Sequence, residues 1–248
     1  MSDASPLVRK SGASSRSRET SASPYLGLQR RGRRAAVGET PLREGRPRGD
    51  CYVLEKGRAL TYKTVVGGHR QVIGIALPGD LLGMRGFLLS VADHSITILT
   101  EARISAFTPR ESTALIQKMP RLGIAILWSI SRDEAIGVEH PLSLGRRTAL
   151  ERTTHFLIET QSHLGLSGPA PADDGGYAFP LTQEQLADVL SLSAIQMNRT
   201  PRGLREQGLV TVAARQVEIH DLEALRRLAG YTRGYLAQDD PLSLRHLD

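Results

Sequence analysis

The sequence predicts an α+β protein, with an antiparallel β domain first, a long helix next and a winged helix-turn-helix last. Three observations carry this. Between Ala35 and Thr108, short strand-like runs are separated by glycine-marked turns. From Arg121 to Glu139, mostly apolar residues recur at spacings of three and four. Between Thr182 and Gly208, two short amphipathic helices follow one another, each with its own capping signal, ahead of two alternating strands.

At 248 residues the chain is long enough for two modest domains, and a hydrophobic content of 40% supports packed cores. No apolar run approaches a membrane span and no apolar signal-peptide core follows the start. The sequence therefore predicts a cytoplasmic protein with no membrane contact. The single cysteine, Cys51, excludes an internal disulfide framework and any cysteine-rich metal or iron–sulfur site. The net charge of +6 lies in residues 1–50, which hold 11 Lys/Arg against 5 Asp/Glu, while the remainder holds 21 of each. Sequence-independent attraction to phosphate would come from that segment and not from a basic folded domain.

Residues 1–34 read as a disordered basic segment. Residues 1–23 are rich in Ser, Ala and Arg without periodicity, and Arg30-Arg31-Gly32-Arg33-Arg34 is a solvated arm. Residues 35–119 form the β domain. Cys51–Glu55, Arg58–Val65 and Arg70–Ala76 are strand-like, separated by Lys56-Gly57 and Gly67-Gly68. Pro78-Gly79-Asp80 is a turn, and strands over His94–Thr100 and Arg103–Thr108 follow, which predicts a small barrel. Ser112–Lys118 is a short helix stopped before Pro120. Residues 120–143 hold the long helix, in which Leu122, Ala125, Ile126, Ser129, Ile130, Asp133 and Ile136 recur at spacings of three and four and which Pro141 ends.

Residues 144–248 form the last domain. A helix over Leu144–Leu164 directs Ala149, Phe156, Leu157 and Leu164 inward, and Gly165–Tyr177 reads as an exposed loop. Thr182 then caps a helix, with Gln185 three residues on, and Leu186, Val189 and Leu190 share one face. Ser191-Leu192-Ser193 interrupts the pattern. Ser193 and Gln196 cap a second helix, which directs Met197, Thr200 and Leu204 inward and ends at Gly208. Its outward set is Ala194, Ile195, Gln196, Asn198, Arg199 and Arg202. The DNA major groove admits such a helix and shows a distinct donor/acceptor pattern for each base pair. Gln and Asn side chains can pair there with adenine, and Arg with guanine or phosphate. Leu209–Val212 and Gln216–Ile219 read as a two-stranded wing, and Asp221–Leu228 as a final helix.

The run Leu181-Thr182-Gln183-Glu184-Gln185-Leu186-Ala187-Asp188, with Asn198-Arg199-Thr200 and Leu204-Arg205-Glu206-Gln207-Gly208-Leu209, resembles the C-terminal domain of Crp/Fnr transcription regulators. Glu44-Gly45, Gly57 and Leu77-Pro78-Gly79-Asp80-Leu81-Leu82-Gly83 are similar to the glycine-marked corners of that family's cyclic-nucleotide-binding β-roll. The resemblance spans roughly residues 38–235. It implies an N-terminal antiparallel β-roll, a connecting dimer helix and a C-terminal winged helix-turn-helix. It also implies a homodimer on double-stranded DNA with a two-fold operator, with RNA polymerase as a candidate further partner. Base contact falls to Gln196, Asn198 and Arg199. Thr182 and Gln183, at the start of the first helix, are placed to hold phosphate.

The effector reading departs from the family. Its nucleotide-binding members use a Gly-Glu-Leu run and, eleven residues after that Gly, an Arg-Ser or Arg-Thr pair. Gly83 matches the Gly, but Met84 stands at the Glu and His94, followed by Ser95, at the Arg. Met accepts hydrogen bonds poorly, and a neutral imidazole does not replace a bidentate guanidinium. The sequence thus predicts no cyclic-nucleotide cofactor, no metal and no catalytic residue. Cys51 cannot supply the cysteine cluster of the oxygen-sensing members, and nothing in the spacing of His69 and His94 singles out a haem ligand. Gly79–Gly83 lacks the Lys-Ser/Thr of a phosphate loop. Two features would weaken DNA binding. Ser191 stands at a turn position usually held by Gly, and Pro201 stands in the second helix where Leu is usual. They motivate an alternative, a regulator-derived interaction protein with impaired DNA binding. A barrel enzyme fused to a regulator domain is a third reading.

Overall fold

The computed structural model describes residues 32–47, 49–68, 70–118, 120–167, 176–232 and 234–236. The sequence readings for residues 1–31 and for His69, and most of the loop after the 144–164 helix, lie outside these. The chain divides into two compact units. One comprises the described residues up to Lys63 with Ile75–Glu134, and the other Thr64–Gly74 with Ala135–Leu236.

The first unit is the β-roll. β1 (Gly32–Ala35), β7 (Ala102–Phe107), β2 (Cys51–Lys56) and β5 (Leu81–Leu82) form a sheet in the order β1-β7-β2-β5. All its pairings are antiparallel, with a bulge in β2 between Leu54 and Lys56. β3 (Ala59–Thr64) and β6 (Ser95–Ile98) pair antiparallel in a second sheet, with β4 (Arg70–Ala76) at its edge. Alternation places Leu54, Ala59, Ile96, Ile98 and Ile104 in one core. Burial of the leucine and isoleucine side chains among them stabilises a fold by about 1.5–3 kcal/mol each. Gly57 closes the β2–β3 hairpin at φ 90°, where a Cβ would lie 2.5 Å from the Glu101 carbonyl oxygen, so no other residue fits. Gly32, Arg33 and Arg34, read as part of a disordered arm, instead pair with β7, Arg33 opposite Ile104.

The helices begin and end differently from their apolar periodicity, because caps and not stripes set the ends. α1 (Pro109–Lys118) starts three residues before Ser112. Thr108 and Glu111 cap it reciprocally, and Pro109 takes the first position, where its missing N–H is not needed. α2 (Pro120–Arg146) runs through Pro141, which was expected to end it. Pro141 cannot donate to the carbonyl four residues back, and the helix runs on without that bond. The break falls after Arg146. Thr148 and Glu151 then form a capping box that starts α3 (Ala149–Ser167), five residues later than expected.

The recurring residues of α2 do not share one environment. Of the recurring residues, Leu122 and Ser129 are buried, together with Arg132, while Ile130 and Asp133 are exposed. A polar contact sets the register. Arg132 Nη2 donates to Asp80 Oδ1 at 2.8 Å in the interior of the first unit. Leu127, Ile130, Val138 and Leu142 are left as an exposed stripe. At 100° per residue they fall within roughly 120° of one another around the helix.

The second unit packs α3 against α4 (Gln183–Leu190), α5 (Ala194–Glu206) and α6 (Leu222–Ala229). Its sheet has three strands and not two: β8 (Tyr177–Ala178) pairs with β10 (Gln216–Ile219), which pairs with β9 (Val210–Ala213). Tyr177, expected in an exposed loop, is buried. Its hydroxyl donates to the Leu157 carbonyl at 2.8 Å, and its ring meets Phe179 edge-on.

Candidate nucleic-acid interface

The two helices of the helix-turn-helix are fixed by reciprocal caps. Thr182 N–H donates to Gln185 Oε1 (3.0 Å) while Gln185 N–H donates to Thr182 Oγ1 (3.1 Å). Ser193 and Gln196 repeat the arrangement at 3.0 and 3.3 Å. The first turn of α4 therefore keeps the amides of Gln183 and Glu184 without an intrahelical acceptor. α5 ends in a full Schellman motif. Gly208 sits at φ 67°, its N–H donates to the Arg205 carbonyl, and Leu209 N–H donates to that of Leu204.

Ser191, between the helices, adopts φ 50° and ψ 47°. A left-handed residue other than glycine costs about 1–2 kcal/mol. Local hydrogen bonds offset that cost. Ser191 Oγ donates to Gln71 Oε1 (3.2 Å), Gln71 Nε2 donates to the Asp188 carbonyl (2.9 Å), and Arg152 Nη1 donates to that of Leu190 (2.6 Å). The last carbonyls of α4 are thereby satisfied.

On α5, Met197, Thr200 and Leu204 are buried and Ala194, Ile195, Gln196, Asn198, Arg199 and Arg202 are exposed. Their chemical states differ. Arg199 makes no hydrogen bond or ion pair with the described residues. Gln196 has its carbonyl oxygen engaged in the cap, so its amide group can donate but a bidentate pairing with adenine would break the cap. Arg202 Nε donates to Glu206 Oε1 at 2.7 Å, an exposed pair that competes with any DNA contact. Pro201 lies inside the helix, which runs on to Glu206. The sequence reading missed Arg215. It is exposed at the wing tip between β9 and β10, where it and Ala214 have φ of 60° and 49°. A two-residue loop joining alternating strands was the available signal.

In the β-roll, Gly83 (φ 75°) precedes a 3-10 turn over Met84–Phe87. The cations near this segment are met by acceptors of the chain itself. His94 is buried with Nδ1 2.7 Å from Asp93 Oδ1, and Arg85 Nη1 donates to Asp93 Oδ2 at 2.6 Å. Burial pushes the Asp93 carboxyl up, but Arg85 and His94 outweigh it and hold it below the usual range. Lys63 Nζ lies 3.0 Å from Glu44 and donates to the Asp93 carbonyl. Cys51 is fully buried and its thiol donates to the Gly83 carbonyl. Burial, aided by Asp50, pushes its pKa up to about 11, so it carries no reactive thiolate at neutral pH. Among the described residues, no three His, Cys, Asp or Glu side chains gather to hold a metal ion.

Comparison with known proteins agrees with this geometry. Residues 151–228 match the model of the Crp-like helix-turn-helix domain, and residues 33–119 that of the cyclic nucleotide-binding domain. The chain is 31% identical over 184 residues to the nitrogen fixation regulation protein FixK of Azorhizobium caulinodans, covering 72% of this chain and 71% of that protein. It is 23% identical over 203 residues to the transcriptional activator protein anr of Pseudomonas aeruginosa, covering 82% of each. The structure of FixK2 from Bradyrhizobium japonicum is similar with a TM-score of 0.71 at 21% identity, covering 81% of this chain and 98% of that one.

Proposed function

This chain belongs to the Crp/Fnr family of transcription regulators, and from that premise we propose that it is a cytoplasmic homodimer that reads a two-fold operator through α5, without a cyclic nucleotide. The family is one of DNA-binding regulators and not of enzymes. The roll, the α2 helix and the winged helix-turn-helix divide the work of sensing, pairing and reading. No helix among the described residues is long and apolar enough to cross a membrane.

The outward face of α5 carries the reading. Arg199, with no partner among the described residues, suits guanine, Asn198 suits adenine, and Gln196 offers donors to a purine N7 or a thymine O4. Ile195, 64% exposed, and Ala194 offer apolar contact to a thymine methyl. Arg202 reaches DNA only by leaving Glu206. Thr182, Gln183 and the amides behind them hold phosphate at the start of α4, and Arg215 adds a phosphate contact from the wing. Two recognition helices need a two-fold protein. The exposed stripe Leu127, Ile130, Val138 and Leu142 supports α2 as the seam. RNA polymerase is a candidate further partner for such a regulator. Met84 and the self-paired His94 support loss of the family's cyclic-nucleotide contacts.

Selection from random duplexes with the full chain tests this reading. It is expected to enrich a two-fold sequence, with or without cyclic AMP. Arg199→Ala weakens binding to that sequence by about 1–3 kcal/mol and relaxes one position per half-site. Leu127→Glu with Val138→Glu yields monomers in sedimentation and removes the two-fold preference. Failure of the wild type to enrich any sequence would favour an interaction protein with impaired DNA binding.

A further inference from the structure

The second unit contains a cavity of about 200 Å³ that DNA reading does not use. Val72 and Ile73 of β4, Leu144 of α2, Phe156 of α3 and Val189 of α4 supply apolar walls. His140, Glu159 and Arg152 carry the charged groups of the lining, beside the polar side chains of Gln71, Ser143 and His155. An apolar lining with a few convergent polar groups is the usual form of a small-molecule site.

The polar groups are unevenly satisfied. Glu159, buried, lies 3.1 Å from His140 Nε2. Burial opposes a charge on His140, but Glu159 and the Ile73 carbonyl outweigh it and raise the imidazole pKa above its usual value. These two residues therefore offset one another. His155, also on the wall, is held neutral, because burial lowers its pKa. Its 3.5 Å approach to Glu139 is accordingly not an ion pair.

Arg152 is different. Its Nη1 and Nη2 donate to carbonyl oxygens of Leu190 and Arg147, and no carboxylate of the described residues pairs with it. Its Nε–H is buried without an acceptor. Buried donors are nearly always partnered, and a charged donor left unpaired is more costly than a neutral one. The cavity wall thus carries a half-buried guanidinium that no carboxylate of the described residues neutralises.

We propose that this cavity binds a compact monocarboxylate with an apolar body, its carboxylate on Arg152 and its body against Val72, Ile73 and Phe156. Size limits the occupant, since an apolar cavity of about 150 Å³ holds a benzene ring, and the space here adds room for one carboxylate. Charge limits it further. A neutral ligand leaves Arg152 uncompensated, and a second carboxylate would face Glu159 or the apolar wall. The occupant would touch Val189 and Leu190, at the end of the first helix of the helix-turn-helix.

Calorimetric titration of the full chain at neutral pH tests this without DNA, so its outcome is independent of operator binding. The probes are benzoate and cyclohexanecarboxylate, with benzamide as the uncharged counterpart of benzoate. Expected are saturable binding of at least one acid at one site per chain, benzamide at least tenfold weaker than benzoate, and at least tenfold weakening in Arg152→Gln. That variant also removes the bond to Leu190, so a second one fills the cavity instead. Gly137 is an exposed lining residue whose added Cβ would meet nothing within 4 Å. Gly137→Leu is expected to abolish binding while the thermal midpoint holds or rises. No saturable binding of either acid, benzamide equal to benzoate, or undiminished binding in Gly137→Leu would overturn the proposal.

Discussion

Arg132→Ala is expected to cost the first unit about 3–5 kcal/mol, the range for removing one partner of a buried ion pair. The Arg132 side chain is 2% exposed and that of Asp80 6%. Burial opposes the Arg132 charge, but Asp80 and Asp133 outweigh it and its pKa is raised. Truncation leaves the Asp80 carboxylate in the interior, held by the Leu77 N–H at 2.6 Å and no longer by a guanidinium. It also removes the guanidinium stacked 5.3 Å from the Trp128 ring and the buried aliphatic stem. The pair is not ideal as it stands, because Arg132 Nη1 is buried without a partner. Removing both charges should therefore cost less than removing one. Arg132→Met with Asp80→Asn retains an acceptor for Leu77 and is expected to recover more than half the loss. Urea unfolding followed by Trp128, the single tryptophan, checks both. A single variant losing less than about 1 kcal/mol would show that the pair contributes little.

That pair also marks where the sequence stopped being legible. The helix-turn-helix could be read because its signals are local. Thr182 with Gln185, Ser193 with Gln196 and Gly208 each act within one or two turns, and the Arg202–Glu206 pair sits at a spacing of four. The glycine corners of the roll act locally too. The start of α1 and the break between α2 and α3 were equally local, written in Thr108-Pro109-Arg110-Glu111 and Thr148-Ala149-Leu150-Glu151. Apolar periodicity does not carry these caps, and by itself it places the end of α2 at Pro141. The register of α2 was different in kind. It depends on Asp80, 52 residues away, and apolar spacing carries no trace of a buried arginine. β8 was hidden for a similar reason. Two residues are too short for an alternation to register, and only the β10 edge defines them as a strand. Of the candidate interface, the outward positions were readable. The cap at Gln196 was readable too, and the left-handed backbone of Ala214 and Arg215 at the wing tip was not.

Pro201→Leu is expected to stabilise the second unit by up to about 3 kcal/mol, the penalty for proline in a helix interior. Pro201 is the eighth residue of α5, so neither end of the helix relieves it. Its ring cannot donate to the Met197 carbonyl, yet the helix continues to Glu206. The Schellman end at Gly208 and the burial of Leu204 hold the segment beyond the proline in place. Leucine restores the missing donor at a half-buried position. For a unit of roughly 100 residues, about 2–3 kcal/mol corresponds to a rise of 10 °C or more in midpoint. A lower midpoint would show instead that the site is shaped around the ring. The effect on DNA reading separates from the effect on stability. Asn198 and Arg199 precede the proline and Arg202 follows it, so any bend that the ring imposes sets the direction of Arg202 relative to Arg199. Regularising the helix should leave the preference governed by Arg199 unchanged and alter the contribution of Arg202. Operator selection with Pro201→Leu distinguishes the cases. A shift confined to the Arg202 position means the proline tunes recognition, and an unchanged sequence means that α5 is already straight there and the proline only costs stability.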